Sequence, residues 1–88
     1  MTVGYVLVSV NPTRELEVYG RLLKIKGAIE VCPVLGPVDF ILKMEADNHD
    51  LIAEIVLKRI RTISGVMSTK TFLEDEFLKN LQAIAEGA

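Results

Sequence analysis

A single carboxylate, Asp39, stands between two apolar runs in VLGPVDFILK, residues 34–43. Gly36, Pro37 and Val38 precede it, and Phe40, Ile41 and Leu42 follow. An acid at such a junction has two readings. It is a turn residue bonding its own backbone, or it is a charged acceptor at the mouth of a ligand site, suited to an ammonium through a charge-assisted hydrogen bond. Further on, Thr69 and Thr71 stand two apart in VMSTKTFLE. Two strand residues at that spacing share a face, and their hydroxyls both donate and accept. Threonine is also an ordinary strand former, so a purely structural role stays open.

The other reactive side chains are isolated. His49 is the only histidine and sits at a helix start, which reads as a solvated residue of the capping region. Cys32 is the only cysteine, so no internal disulfide can form. It lies in an apolar strand and is expected to pack as a small hydrophobe. Met44 and Met67 read as core filler. Neither His49 nor Cys32 has the paired base or acid that catalysis needs, and neither has partners at metal-ligand spacing. The chemistry on offer is binding. The chain is expected not to be an enzyme and to use no cofactor or metal.

The elements that must position these residues follow from periodicity. Residues 3–10, VGYVLVSV, are β-branched and aromatic and read as a strand. Asn11 and Thr13 can cap a helix whose first turn tolerates Pro12. Leu16, Tyr19, Leu22 and Leu23 recur at helical spacing, and Gly27 is a stop signal. AIEVCPVL and DFILKMEA form two strands joined by the short Gly-Pro connection into a hairpin, with Pro33 confined to an edge or a bulge. A second helix spans about residues 48–63, its buried stripe being Ile52, Ile55, Val56, Ile60 and Ile63, and Gly65 ends it. VMSTKTFLE is a fourth strand, and DEFLKNLQAIAEG is an amphipathic helix.

A weak internal repeat supports that order. Leu22, Ile25 and Gly27 match Ile60, Ile63 and Gly65, each 38 residues apart. Two βαβ halves at one offset give the split βαβ pattern. The expected fold is α+β: a ferredoxin-like βαββαβ sandwich, with a four-stranded antiparallel sheet, two helices on one face, and a C-terminal helix. One domain is expected over residues 1–74, with the amphipathic helix over residues 75–88.

Composition narrows the partners. The chain has 88 residues, 10 basic and 12 acidic, for a net charge of −2. That is no electrostatic footprint for nucleic acid, so direct DNA binding is not expected. Lys58, Arg59 and Arg61 are its densest basic cluster, and Glu54 four residues before Lys58 marks a solvated helix face. No apolar run approaches the ~20 residues of a membrane span, and the N-terminus lacks the basic start of a signal peptide; the expected compartment is the cytoplasm. Strands one and two are apolar on both faces, whereas two helices hide only one. A sheet of this size exposes roughly 400 Å² on its second face, the upper end for a monomer. A homodimer with sheet packed on sheet is the expected remedy.

The chain resembles the ligand-binding and oligomerisation (RAM) domain of the Lrp/AsnC, or feast/famine, transcriptional regulators. GYVLVSV, LLKIKGAIEV, GPVDFILK and IRTISGVMSTKTF carry the resemblance, which covers roughly residues 3–73. The more specific part is the pairing of Gly-x-x-Asp before an apolar strand with Gly-Val-x-x-Thr-x-Thr further on. The resemblance implies dimers, and rings of dimers, with small effectors, usually amino acids, bound between dimers. It places Gly36, Pro37, Val38, Asp39, Thr69 and Thr71 near that effector. Full-length members carry a helix-turn-helix domain. This sequence begins directly at the sheet and resembles a stand-alone form. It is expected to sense an amino acid or similar metabolite in transcriptional regulation, co-assembling with full-length Lrp/AsnC regulators. The alternative is an assembly protein whose rings serve no physiological amino-acid ligand.

Overall fold

A computed structural model describes residues 1–75 and 77–87 of the chain. The strands are β1 (Thr2–Val10), β2 (Ala28–Pro33), β3 (Phe40–Ala46) and β4 (Val66–Leu73). The helices are α1 (Glu15–Leu22), α2 (His49–Ile55) and α3 (Leu81–Gly87). All strand pairs are antiparallel, in the order β2-β3-β1-β4. This is the α+β, ferredoxin-like arrangement expected from the sequence, with β2 and β3 as the hairpin. Of the residues expected in the terminal helix, Glu76 and Ala88 lie outside the described residues.

One face of the sheet is the core. Val6, Val8, Leu42 and Met44 are fully buried, and so are Val18 and Leu22 of α1, Ile52 of α2, and Ile60. Both helices therefore cover the same face. The α1 stripe differs from expectation: Val18 and Leu22 point inward, whereas Leu16 and Leu23 are exposed. A 3₁₀ turn at Pro12–Arg14 precedes α1; within α1, Val18 and Leu22, four apart, share the inward face, and Leu16, two residues before Val18, falls on the opposite side. Tyr19 stacks on Phe40 with 5.5 Å between ring centroids.

Two irregularities change which side chains face out. β4 shifts register opposite Ser9 and Val10, and Met67 at the shift is 71% exposed instead of filling the core. β2 shifts between Ala28 and Glu30 and turns Ile29 outward. A bulge places two consecutive residues against one partner, which alternation alone does not foresee. Cys32, opposite Ile41 on the uncovered face, is exposed, not packed.

The internal repeat is structural. Gly27 and Gly65 are the two glycines of positive φ, at 98° and 103°. The same turn surrounds each. Ile25 N–H donates to Leu22 O and Ala28 N–H to Ile25 O; Ile63 N–H donates to Ile60 O and Val66 N–H to Ile63 O. Asn11 and Asn48 cap the two helix entries with their side chains. From cap asparagine to glycine the second half is one residue longer. A π turn at Val56–Ile60, closed by Arg61 N–H to Val56 O at 2.9 Å, absorbs that residue. His49 lies one place past its cap, and its Nε2–H donates to Glu74 O at 3.1 Å, tying the exit of β4 to α2.

Candidate functional site

The hairpin between β2 and β3 brings Asp39 to the end of β1. Asp39 N–H donates to Val8 O at 2.9 Å, and Val34 N–H donates to Asp39 O at 2.9 Å. Its carboxylate Oδ2 accepts from Val10 N–H at 2.8 Å. The β1–β3 ladder ends at the Val8–Phe40 pair, so the side chain satisfies an N–H that the ladder no longer reaches. An unpaired buried N–H costs about 1–3 kcal/mol. Asp39 is thus a structural clamp, but to a β1 amide 29 residues away instead of to its own turn.

Beside the clamp lies a cleft of about 350 Å³. Pro33, Val34, Leu35 and Gly36 form one wall, and Glu15 from α1 brings a second carboxylate near Asp39. Glu15 stands in the first turn of α1, where the helix dipole favours an acid. No local pattern links it to Asp39, because the fold alone sets α1 beside the hairpin. Two carboxylates at a partly open cleft suit a cationic group, an ammonium above all. Leu35 is fully exposed at the hairpin tip. Nothing comes within 4 Å of a Cβ built on Gly36, and its φ is not positive. Neither crowding nor backbone strain within this chain requires glycine there. Pro37 supplies no N–H to the turn, and Val38 is half-buried.

Thr69 and Thr71 lie elsewhere. They stand opposite Val8 and Val6 on the helix-covered face of β4, Thr69 half-buried and Thr71 exposed. β1 separates β4 from β3, two strand spacings or ~10 Å. Within one chain, then, the hairpin residues form one cleft and the threonines lie across the sheet from it.

The uncovered face is the other feature of the site. The strand registers set Phe72, Tyr5, Lys43 and Glu30 in one row, and Lys70, Leu7, Ile41 and Cys32 in the next. Tyr5 is 43% exposed and Phe72 54%. The described residues of the C-terminal segment do not shield them; Phe77, ahead of α3, and Leu81 and Ile84 within it are themselves exposed.

The Lrp/AsnC ligand binding domain matches this chain over residues 3–85. The chain belongs to that family. The matching family is described as a ligand-binding domain, and the relatives are named as transcriptional regulators. An uncharacterized HTH-type transcriptional regulator of Pyrococcus furiosus is 36% identical over 75 residues, which is 82% of this chain and 50% of the relative. The chain thus spans about half the length of such relatives. The solved structure of FFRP-DM1 superposes with a TM-score of 0.79 at 25% identity, covering 85% of this chain and all of that one. A Neisseria meningitidis transcriptional regulator, solved as an L-Met complex, superposes at 0.75 with 15% identity, covering 89% of this chain and 52% of that one. Among the described residues, no helix of this Lrp/AsnC domain is long and apolar enough to cross a membrane.

Proposed function

We propose that this Lrp/AsnC domain is a sensing and assembly module of transcriptional regulation. Copies pair through the uncovered sheet face, and pairs meet around the hairpin of residues 36–39. A small amino acid or similar metabolite binds there, its ammonium on Asp39 and Glu15, with Thr69 and Thr71 contributed by a neighbouring copy. The module acts with Lrp/AsnC regulators that carry a helix-turn-helix domain, by mixed assembly. The carrying observation is the bare face around Tyr5, Leu7, Ile41 and Phe72. The L-Met complex of a structural neighbour supports the ligand class.

A second reading has its own observation. The Oδ2 of Asp39 is already engaged by Val10 N–H, and Pro37 offers no donor to a ligand carboxylate. On that reading the assembly is the function and no amino acid binds. Native mass spectrometry and calorimetry against the twenty amino acids separate the two. Sensing predicts dimers or multiples of dimers and a saturable heat that Asp39→Asn removes, since asparagine keeps an acceptor for Val10 but loses the charge. Assembly alone predicts the same masses with no heat from any of them. A monomer at micromolar concentration defeats both readings.

A further inference from the structure

The repeat makes two equivalent corners, one at each glycine of positive φ, and they are finished differently. At Gly65 the side chain of Arg14 lies on the glycine: a Cβ there would meet Arg14 Cβ at 3.0 Å and Cδ at 3.2 Å, and Val18 Cγ2 at 3.0 Å. Arg14 is held by Glu17 at 3.0 Å. At Gly27 the counterpart of Val18 is Ile55, whose Cδ1 comes within 3.3 Å. The counterpart of Arg14, three residues after the cap asparagine, is Leu51. The shorter leucine leaves this corner open as a groove of about 620 Å³, within the range of small-molecule pockets.

Chemistry in the groove is specific. Its apolar side is Ile25, Leu51 and Ile55, and Lys24, Lys26 and Arg59 stand around it. Glu45 and Asp47 are the acids there. None of these five charged groups is in an ion pair among the described residues. The lining side chains carry one positive charge in excess, and Met1 lies on the same rim. A zwitterion leaves that excess in place; a monoanion lowers it. The groove is at the Ala46 end of β3, whereas Asp39 precedes the Phe40 end, about 20 Å away along the strand.

We propose that the Gly27 groove is a second small-molecule site, for a monoanion with a branched aliphatic body, such as the 2-oxo acid formed when an aliphatic amino acid loses its amino group. The carboxylate lies among Lys24, Lys26 and Arg59, and the aliphatic body covers Leu51 and Ile55. This site stands independently of ligand binding at Asp39.

Amide chemical shifts of the full chain, titrated with 4-methyl-2-oxopentanoate and separately with L-leucine, test it. The expected result is saturable shifts centred on Gly27, Glu45 and Leu51 with the oxo acid, and weaker binding there by L-leucine. Leu51→Arg, which copies the Arg14 plug, abolishes those shifts, and Asp39→Asn leaves them intact. Should Leu51→Arg not fold, the surface double variant Lys24→Gln/Arg59→Gln weakens binding about fivefold or more, the scale of two exposed charge contacts. The proposal is overturned by an absence of saturable shifts at Gly27, by shifts that survive in folded Leu51→Arg or are unaffected in the double variant, or by L-leucine binding there as tightly as the oxo acid. L-leucine shifts confined to the Asp39 hairpin bear on the other site and support the separation of the two.

Discussion

The two faces of one sheet differ more than the four strands do. On the covered face Val6, Val8, Leu42 and Met44 have no solvent exposure, and α1 and α2 complete the packing. On the other face the neighbours of these same residues, Tyr5 and Phe72 among them, remain in contact with solvent. β1 is apolar on both faces, although Lys43, Glu30 and Lys70 stand beside its open-face residues, so the β1 sequence alone does not say which face is covered. The difference lies in what the chain can place on top. Its two crossover helices go to one side, and α3 does not cover the other. The fold is complete on one face and open to a partner on the second.

The largest effect should come from the covered face. Leu42→Ala leaves a cavity among rigid neighbours and should cost about 2–5 kcal/mol, read as a lower denaturation midpoint. A midpoint unchanged within error would mean that the two faces do not differ as described. Phe72→Glu tests the open face. It should halve the mass seen by light scattering while far-ultraviolet circular dichroism keeps its native shape. An unchanged mass would show that this face is not an interface.

Smaller effects probe the regions flanking both faces. Asp39→Ala leaves Val10 N–H without its acceptor and should cost about 1–3 kcal/mol; Asp39→Asn should recover most of that in the same urea titration. Gly20 lies within α1 with nothing near its missing side chain, so Gly20→Ala should stabilise by up to about 1 kcal/mol. A loss instead would mean that another copy packs against α1. The smallest effect is electrostatic. The Lys58 ammonium, hydrogen-bonded at 2.8 Å, holds the Glu54 carboxyl below its ordinary value, with Arg59 adding to it. A lowered carboxylate pKa stabilises the fold above the unfolded value, and that contribution fades as pH falls through the folded value. The stability difference between the protein and Glu54→Gln should therefore shrink on acidification, by urea melts at stepped pH.

Much of the architecture was legible because it is local. The helix cap Asn11, the stops Gly27 and Gly65, and the stripe of Ile52, Val56 and Ile60 each depend on neighbours within a turn or two. The offset of 38 then pairs the two halves. Leu16, Met67 and Cys32 stand where alternation and periodicity did not put them, each for its own reason. Val18, not Leu16, faces the sheet; a register shift in β4 turns Met67 outward; and Cys32 lies on the sheet face that no helix covers.

The sequence by itself determined the element order, the apolar residues on both faces of β1 and the two glycine-ended corners, because periodicity and φ preference act within a few residues. Only the tertiary structure decided that Asp39 clamps Val10, that Glu15 joins Asp39 in one cleft while Thr69 and Thr71 stand two strands away, and that Arg14 closes one corner where Leu51 leaves the other open. Those relations join residues far apart in the chain. Only the packing of helices on the sheet fixes the distances between them.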